Sequence, residues 1–557
     1  MDNKKLAELL FADIDKTPED YEALYPVRNL PEGAKVTRLG PSPTGFIHLG
    51  NLYGAFVDER LAHQSGGTFF LRIEDTDDKR YVEGAVEIII NSLRFFGINF
   101  DEGATMGEDI GAYGDYTQSH RGPIYQCFAK KLVEEGKAYP CFLTEEEIQA
   151  IREKQEANKE NPGIYGKWAL SRNLTYEEIE ANIKAGKPYV IRLKSDGDLS
   201  KPEDQIRRIK VQDAIRGILD MPENDQDTVM LKASGIPTYH FAHVVDDHLM
   251  RTTHVVRGEE WLPSLPIHIE LFEKLGWEPP IYCHTAQLMK IDEVEGNKRK
   301  LSKRKDPELS LDFYRNMGYH PAAVREYLLT ILNSNFEEWR IANPTADIEE
   351  FEFTTEKMST SGALFDLNKL NDISKDVLLR ISASDLYDFL KGWADEFKAD
   401  DEDVQKVLAD RAYLEKVLDI GRQVERNPRK DHVYAEQMIQ NIGYFFDHLF
   451  KIEDELPEEV DGDVETIISK YLETYDHSDD QEVWFNKIRA ITEELGYAVK
   501  PKDFKKNPDM YKGHVGHVST VIRVALMGRQ QSPDVWEIQQ ILGEERTRAR
   551  LQHYIAK

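Results

Sequence analysis

The sequence predicts an α/β domain built on a parallel sheet, interrupted by an α+β insertion and continued by an all-α region. Three observations predict it. A strand, a stiff turn and a helix follow one another over residues 34–67. Short β-patterned runs mixed with helices fill residues 122–232 before the strand and helix pattern resumes at 233, and beyond 310 the periodicity is helical to the end. At 557 residues the chain is too long for one core and implies about three to five domains.

Residues 1–33 read as a short amphipathic helix with a polar connector, and their role is not legible. AKVTRLG (34–40) is the first strand. PSPTGFIHLGN (41–51) is a turn stiffened by two prolines, and Leu52, Ala55 and Phe56 begin a helix at i, i+3 and i+4 that Gly66 and Gly67 stop. His48, Gly50 and Asn51 fall on its first turn, where unpaired N–H groups and the positive dipole end favour a phosphate, and Gly50 lets a ligand approach the backbone. His48 has a plain alternative as a helix cap. TFFLRI (68–73) is the second strand and delivers Glu74, Asp75, Thr76 and Asp77 past its end. Strand C-terminal ends line the crevice of a parallel sheet, so Arg38, His48 and Glu74 should converge. VEGAVEIIINSLRFFG (82–97) closes the first βαβ unit.

The insertion opens with a helix (IYQCFAKKLVEEGKAYP), continues through a polar helix (TEEEIQAIREKQEANKENPG) and gives strands such as YVIRLK and IRRIKVQD. From 233 the sheet resumes. His240, His243, Asp246, Asp247 and His248 are metal-ligand types, but helical geometry cannot bring all of them to one point. RGEEW (257–261) follows a strand as a third crevice loop, and NKRKLSKRKD (297–306) is a basic loop that suits either solvent or phosphate. HPAAVREYLLTIL (320–332) then carries a core stripe, and SPDVWEIQQILGEERTRARL (532–551) shows a Ser cap, Pro533 at the first helical position and Gly543 as an interruption.

A 40% hydrophobic, 31% charged composition without a charge-free apolar run, and carboxylates within the first apolar stretch, lead us to expect a cytoplasmic protein with no membrane contact. Cys127, Cys141 and Cys283 form no paired motif, which argues against a disulfide framework or zinc knuckle. The net charge of −30 disfavours indiscriminate nucleic-acid binding. Basic clusters remain: Arg207, Arg208 and Lys210; Lys298 through Lys305; Arg426, Arg429 and Lys430; Lys502, Lys505 and Lys506; Arg546, Arg548 and Arg550.

His48-Leu49-Gly50-Asn51 resembles the His-Ile-Gly-His signature of class I aminoacyl-tRNA synthetases, with Asn in the fourth place. KLSKR (300–304) resembles their Lys-Met-Ser-Lys-Ser loop. RLGPSPTG, RIEDTD, PTYHFAHVVDDHLM, RGEEW and the C-terminal GHVSTVIRVALMGRQQSPDVWEIQQILGEER narrow the resemblance to bacterial glutamyl-tRNA synthetases. The resemblance implies an N-terminal extension (1–34), a Rossmann-type catalytic domain in two halves (35–121 and 233–310) around an acceptor-stem-binding insertion (122–232), then all-α stem-contact (311–385) and anticodon-binding (386–557) domains. It implies ligation of L-glutamate to tRNA(Glu) with ATP and Mg²⁺, without structural zinc, by a monomer. His48, Asn51, Lys300 and Lys303 would be catalytic, and Gly50, Glu260, Leu301 and Ser302 would join His48, Asn51 and Lys303 on ATP. Arg38 would fork a carboxylate of glutamate, Glu74 would accept from its ammonium, and Gly40, Ser42, Tyr239, His243 and Arg257 would complete the pocket. Two positions depart from the family: His243 stands where Asn is common and Gly40 where Ala is common. A titrating His243 would make glutamate affinity depend on pH, whereas a packed one would not. The alternatives are an enzyme that also charges tRNA(Gln) and a catalytically silent tRNA-binding paralogue.

Overall fold

The computed structural model describes residues 2–77, 82–292, 294–424 and 426–555. It divides into one unit of Met1–Asp312 with Leu328–Asp366 and another of Phe313–Tyr327 with Leu367–Lys557. The expected 311–385 segment is therefore shared between the two.

The first unit begins with α1 (Asn3–Leu10) and α2 (Pro18–Leu24). The sheet starts with β1 (Val36–Leu39), followed by α3 (Leu49–Gln64), β2 (Thr68–Leu71), α4 (Ala85–Phe95) and β3 (Glu102–Gly103). β1, β2 and β3 are parallel neighbours. Every residue of β1 and β2 is buried, as expected of strands covered on both faces.

After α5 (Gly122–Glu134) come β4 (Ala138–Cys141), α6 (Glu145–Ala157), α7 (Tyr176–Lys184), β5 (Val190–Leu193), β6 (Arg208–Asp213), β7 (Gly217–Pro222) and β8 (Val229–Leu231). The strand β4 departs from the expected helix tail, because Gly136 takes φ +70° and turns the chain. β4, β5 and β8 form a small antiparallel sheet. It is tied by buried Asp227, which accepts from the Tyr139 hydroxyl at 2.6 Å and the Ser195 amide at 2.9 Å and pairs with Arg172. The hairpin β6–β7 leaves this insertion and joins the main sheet. Its alternating pattern exposes Arg208 and Lys210 and buries Ile209 and Val211 in a cluster with Val255, Leu265, Ile269 and Tyr282.

The second half supplies α8 (Tyr239–Leu249), β9 (His254–Gly258), α9 (Leu265–Leu275), β10 (Ile281–Thr285) and the hairpin of β11 (Leu288–Ile291) with β12 (Lys298–Lys300). β10 is parallel to β9 and to β6. β9 lies beside β1, with the Thr253 amide donating to the Val36 carbonyl at 3.0 Å. Strand order thus reverses between β1 and β9, which opens a crevice at their C-terminal ends.

Residues of the N-terminal extension contact both halves. Arg28 forks Glu102 at 2.8 and 3.1 Å, donates to the Met250 carbonyl at 3.0 Å and lies 3.8 Å over the Tyr113 ring. Glu22 takes His248 and Arg251, so the end of α8 is fastened from outside.

The second unit is helical around a core that includes Leu386, Leu390, Val417, Ile467, Val518 and Ile538. The helix at Val535–Leu542 is capped by Asp534, whose Oδ1 accepts from the Trp536 and Glu537 amides at 2.9 and 3.1 Å, two residues beyond the expected Ser532 cap. Gly543 ends it with φ +82°. The Arg546, Arg548 and Arg550 cluster is internal glue: the three donate to carbonyls of Phe445, Tyr475, Tyr444 and Leu526. Among the described residues no helix is long and apolar enough to cross a membrane.

Arg28→Ala leaves Glu102 without its cation and loosens α8. The expected outcome is a loss of about 3 kcal/mol in urea unfolding followed by tryptophan fluorescence.

Candidate active site

The turn at 41–51 places His48 as the N-cap of α3. His48 Nδ1 accepts from the Asn51 amide at 3.2 Å, and Asn51 Oδ1 accepts from the His48 amide at 3.1 Å. Capping therefore fixes the tautomer: the proton sits on Nε2, which stays a donor, and the Asn51 amide nitrogen stays a donor beside it. Burial, then the charges of Lys303 and Lys300, lower the imidazole to about 4, so it is neutral at physiological pH. A Cβ at Gly50 would stand 3.0 Å from the His48 ring, so glycine gives the ring room over the turn.

The basic loop meets this turn directly. The backbone of His48 bridges to Ser310, and the Leu311 amide donates to the Ile47 carbonyl at 3.3 Å. Asp306 organises the loop, accepting from the Ser302 amide at 2.8 Å and from Arg299 at 2.6 and 2.8 Å. Leu301 is buried, while Lys300 and Lys303 are exposed. The Lys303 ammonium rests 3.8 Å from the centre of the Phe46 ring. Glu260, whose charge also reaches His48, lies against Gly258 at the end of β9.

Beside these lies a buried ionic pocket. Asp247 Oδ1 takes Arg72 Nη1 at 2.7 Å and Arg38 Nε at 3.1 Å, while its Oδ2 lies 2.5 Å from His243 Nδ1. Burial opposes ionisation of Asp247, yet the Arg38 and Arg72 guanidiniums hold its carboxyl well below the usual range. Arg72 Nη2 reaches Glu74 Oε1 at 2.9 Å. Burial raises the Glu74 carboxyl, against the pull of Arg72 and Arg38. A Cβ at position 40 would meet Glu74 Oε1 at 2.3 Å, so Gly40 is what lets this carboxylate lie against the chain. Tyr239 stacks on His243 and lies tilted by 37° against Trp261 with ring centres 4.3 Å apart, and Arg257 stands at the end of β9.

The pocket gathers Arg38, Gly40, Glu74, Tyr239, His243 and Arg257, and the neighbouring turn and loop gather His48, Gly50, Asn51, Glu260, Lys300, Leu301, Ser302 and Lys303. Ser42 is exposed at the turn. Two of these positions gain detail. Arg38 has its Nε edge on Asp247, so a fork to substrate is left to its Nη groups. His243 is fully buried, its Nδ1 2.5 Å from Asp247 Oδ2 and its Nε2 bonded to the Tyr282 hydroxyl at 3.1 Å, and burial lowers it to about 3. It is a wall residue and does not titrate near neutrality. Asp246 takes Arg121, Gln118 and Tyr125. Among the described residues no group of His, Cys, Asp or Glu could hold a metal ion.

The residues that sequence reasoning missed are Arg72, Asp247 as a clamp, and Phe46. Arg72 had a signal, a charge directly after the apolar run FFL of β2.

A family model described as tRNA synthetases class I (E and Q), catalytic domain, matches residues 35–372, and an anticodon binding domain model matches 509–555. The glutamate–tRNA ligase of Acetivibrio thermocellus is 62% identical over 557 residues, covering 100% of both chains. The chain belongs to the glutamate–tRNA ligases. The Clostridium perfringens (strain SM101) ligase is 49% identical over 563 residues, again covering 100% of both. The crystal structure of a glutamate tRNA ligase from Elizabethkingia meningosepticum in complex with its amino acid superposes with a TM-score of 0.74 at 27% identity, over 94% of this chain and 99% of that one. As a class I aminoacyl-tRNA synthetase, the ligase uses ATP as a substrate.

Burial is the dominant cause that lowers His48, His240 and His254 to about 4 and His243 to about 3. Between roughly pH 6.5 and 4 the unfolded ligase holds protons on these rings that the folded one does not, so stability is lost as pH falls through that window. Calorimetry should show the melting temperature dropping there, while KM for glutamate stays flat between about pH 6.5 and 8 because the rings are already neutral.

Proposed function

We propose that this ligase activates L-glutamate with MgATP to glutamyl-adenylate and transfers the glutamyl group to the 3′ end of tRNA(Glu), releasing AMP and pyrophosphate. The contact between the His48 turn and the KLSKR loop carries this reading, because it brings the Lys300 and Lys303 cations near the His48 donor, next to the buried cluster of Arg38, Glu74 and Arg257. In the first step a glutamate α-carboxylate oxygen bonds to the α-phosphorus as the bond to pyrophosphate breaks. His48 Nε2–H and the Asn51 amide donate to phosphate oxygens as charge builds there, with no proton transferred. Lys300 and Lys303 neutralise the departing pyrophosphate. Lys303 must leave the Phe46 ring to do so, an exposed cation–π contact worth about 0.5–1 kcal/mol and cheaply given up.

Gly50, Leu301, Ser302 and Glu260 line the ATP side. On the glutamate side the Nη groups of Arg38 and the Arg257 guanidinium receive carboxylates, and Glu74 accepts from the ammonium. Ser42, Gly40, Tyr239 and His243 complete the wall. In the second step a terminal ribose hydroxyl attacks the activated carbonyl and AMP leaves. Following the family resemblance, the enzyme works in the cytoplasm as a monomer.

Charging of labelled glutamate onto purified tRNA(Glu) and tRNA(Gln), in parallel, tests the reading. Label on tRNA(Glu) alone is the expected result, and label on both makes the enzyme non-discriminating. Lys303→Ala should lower the charging rate by about a hundredfold or more while tRNA still binds, since its contact forms mainly in the transition state. Unchanged turnover in that variant contradicts the assignment.

A further inference from the structure

Arg257 differs from the other guanidiniums of the pocket in what holds it. Arg38 and Arg72 both touch Asp247. Arg257 is 8% exposed and, among the described residues, has no carboxylate against it. Its Nε donates to His284 Nε2 at 2.9 Å, its Nη1 donates to His268 Nδ1 at 3.1 Å, and its plane lies 4.6 Å from the Tyr282 ring centre.

A guanidinium can only donate, so both ring atoms accept and both imidazole protons lie on the far side. His284 Nδ1–H therefore donates to Asp213 Oδ2 at 2.7 Å, and His268 Nε2–H to His240 Nδ1 at 2.9 Å. Neither imidazole can take a second proton without losing its bond from arginine, and burial lowers both. Asp213 is fixed in turn by the Ile215, Arg216 and His284 amides at 2.9, 2.8 and 3.1 Å. The nearest carboxylate along this chain thus stands one imidazole away from the cation.

We propose that His268 and His284 are positioning residues for the reaction: neutral acceptors that lock the Arg257 guanidinium in place and leave its charge for a carboxylate of the substrate. A buried cation held by neutral groups has paid desolvation without an ion partner, so an arriving carboxylate gains more from it than from an arginine already paired. Asp213 keeps the His284 proton on Nδ1. With that proton on Nε2, two N–H groups would face each other. The inference rests on reading this pocket as the glutamate site.

The test is steady-state charging of tRNA(Glu) by the full chain, with KM measured separately for glutamate and ATP. His268→Asp puts a carboxylate oxygen where Nδ1 stands, and His268→Asn puts a neutral acceptor there. We expect His268→Asp to raise KM for glutamate about tenfold or more with KM for ATP little changed, and His268→Asn to stay within about threefold of the parent. Equal KM for glutamate in the two variants overturns the proposal, as does a parallel rise in both KM values with a lowered melting temperature. Should His268→Asp not fold, His284→Gln, which keeps an acceptor near Nε2, is compared with His284→Met, which does not. A lower KM for glutamate in His284→Gln supports the role, and equality refutes it. A parent chain that charges no tRNA with glutamate refutes the underlying reading instead.

Discussion

The site depends on one buried carboxylate. Asp247 sits between the guanidiniums of Arg38 and Arg72 and against the imidazole of His243, and all four side chains are nearly or wholly excluded from solvent. A charge so placed is tolerated only because its partners are in contact, and removing one partner from such a cluster typically costs about 3–5 kcal/mol. The constraint reaches the fold itself. Arg38 comes from β1, Arg72 from the end of β2 and Asp247 from α8, so the two halves of the sheet, 200 residues apart in sequence, close on one ion cluster. The N-terminal extension acts on the same object from behind, through Arg28 on the Met250 carbonyl.

The geometry of α8 explains how the cluster becomes a pocket. Tyr239, His243 and Asp247 follow at i, i+4 and i+8 and so share one helix face, with the anchor innermost and the aromatic ring outermost. Asp246, on another face, is saturated by Arg121, Gln118 and Tyr125, which fixes the rotation of the helix. Within this frame charge is distributed unevenly. Two cations share Asp247 and Glu74, whereas Arg257 is held by imidazoles. On the proposed reading, an anionic side chain would pair with a cation that has no direct ion partner, whereas an amide would bring it no charge.

Much of this was legible in the sequence, for physical reasons. The strand, stiff turn and helix at 34–67 and the basic loop at 297–306 are local patterns; the convergence of Arg38, His48 and Glu74 follows from where parallel strands end, whereas the place of the basic loop rests on the family resemblance. The hairpin β6–β7 was assigned to the insertion because an alternating strand does not declare which sheet it will join; its buried Ile209 and Val211 decide that only once Tyr282 is beside them. His243 read as a possible titrating group because burial and partners are tertiary facts. Arg72 and Asp247 are invisible as a pair for the same reason: 175 residues separate them. The Arg546, Arg548 and Arg550 run looked like a surface patch, yet all three side chains turn inward onto backbone carbonyls.

The central claim is that this buried arrangement of charge selects glutamate. The most direct measurement is kcat/KM for attachment of glutamate and of glutamine to tRNA(Glu) by the same preparation. A preference for glutamate on the order of a hundredfold or more is expected, since glutamine leaves a buried guanidinium unpaired. Comparable values for the two amino acids would contradict it.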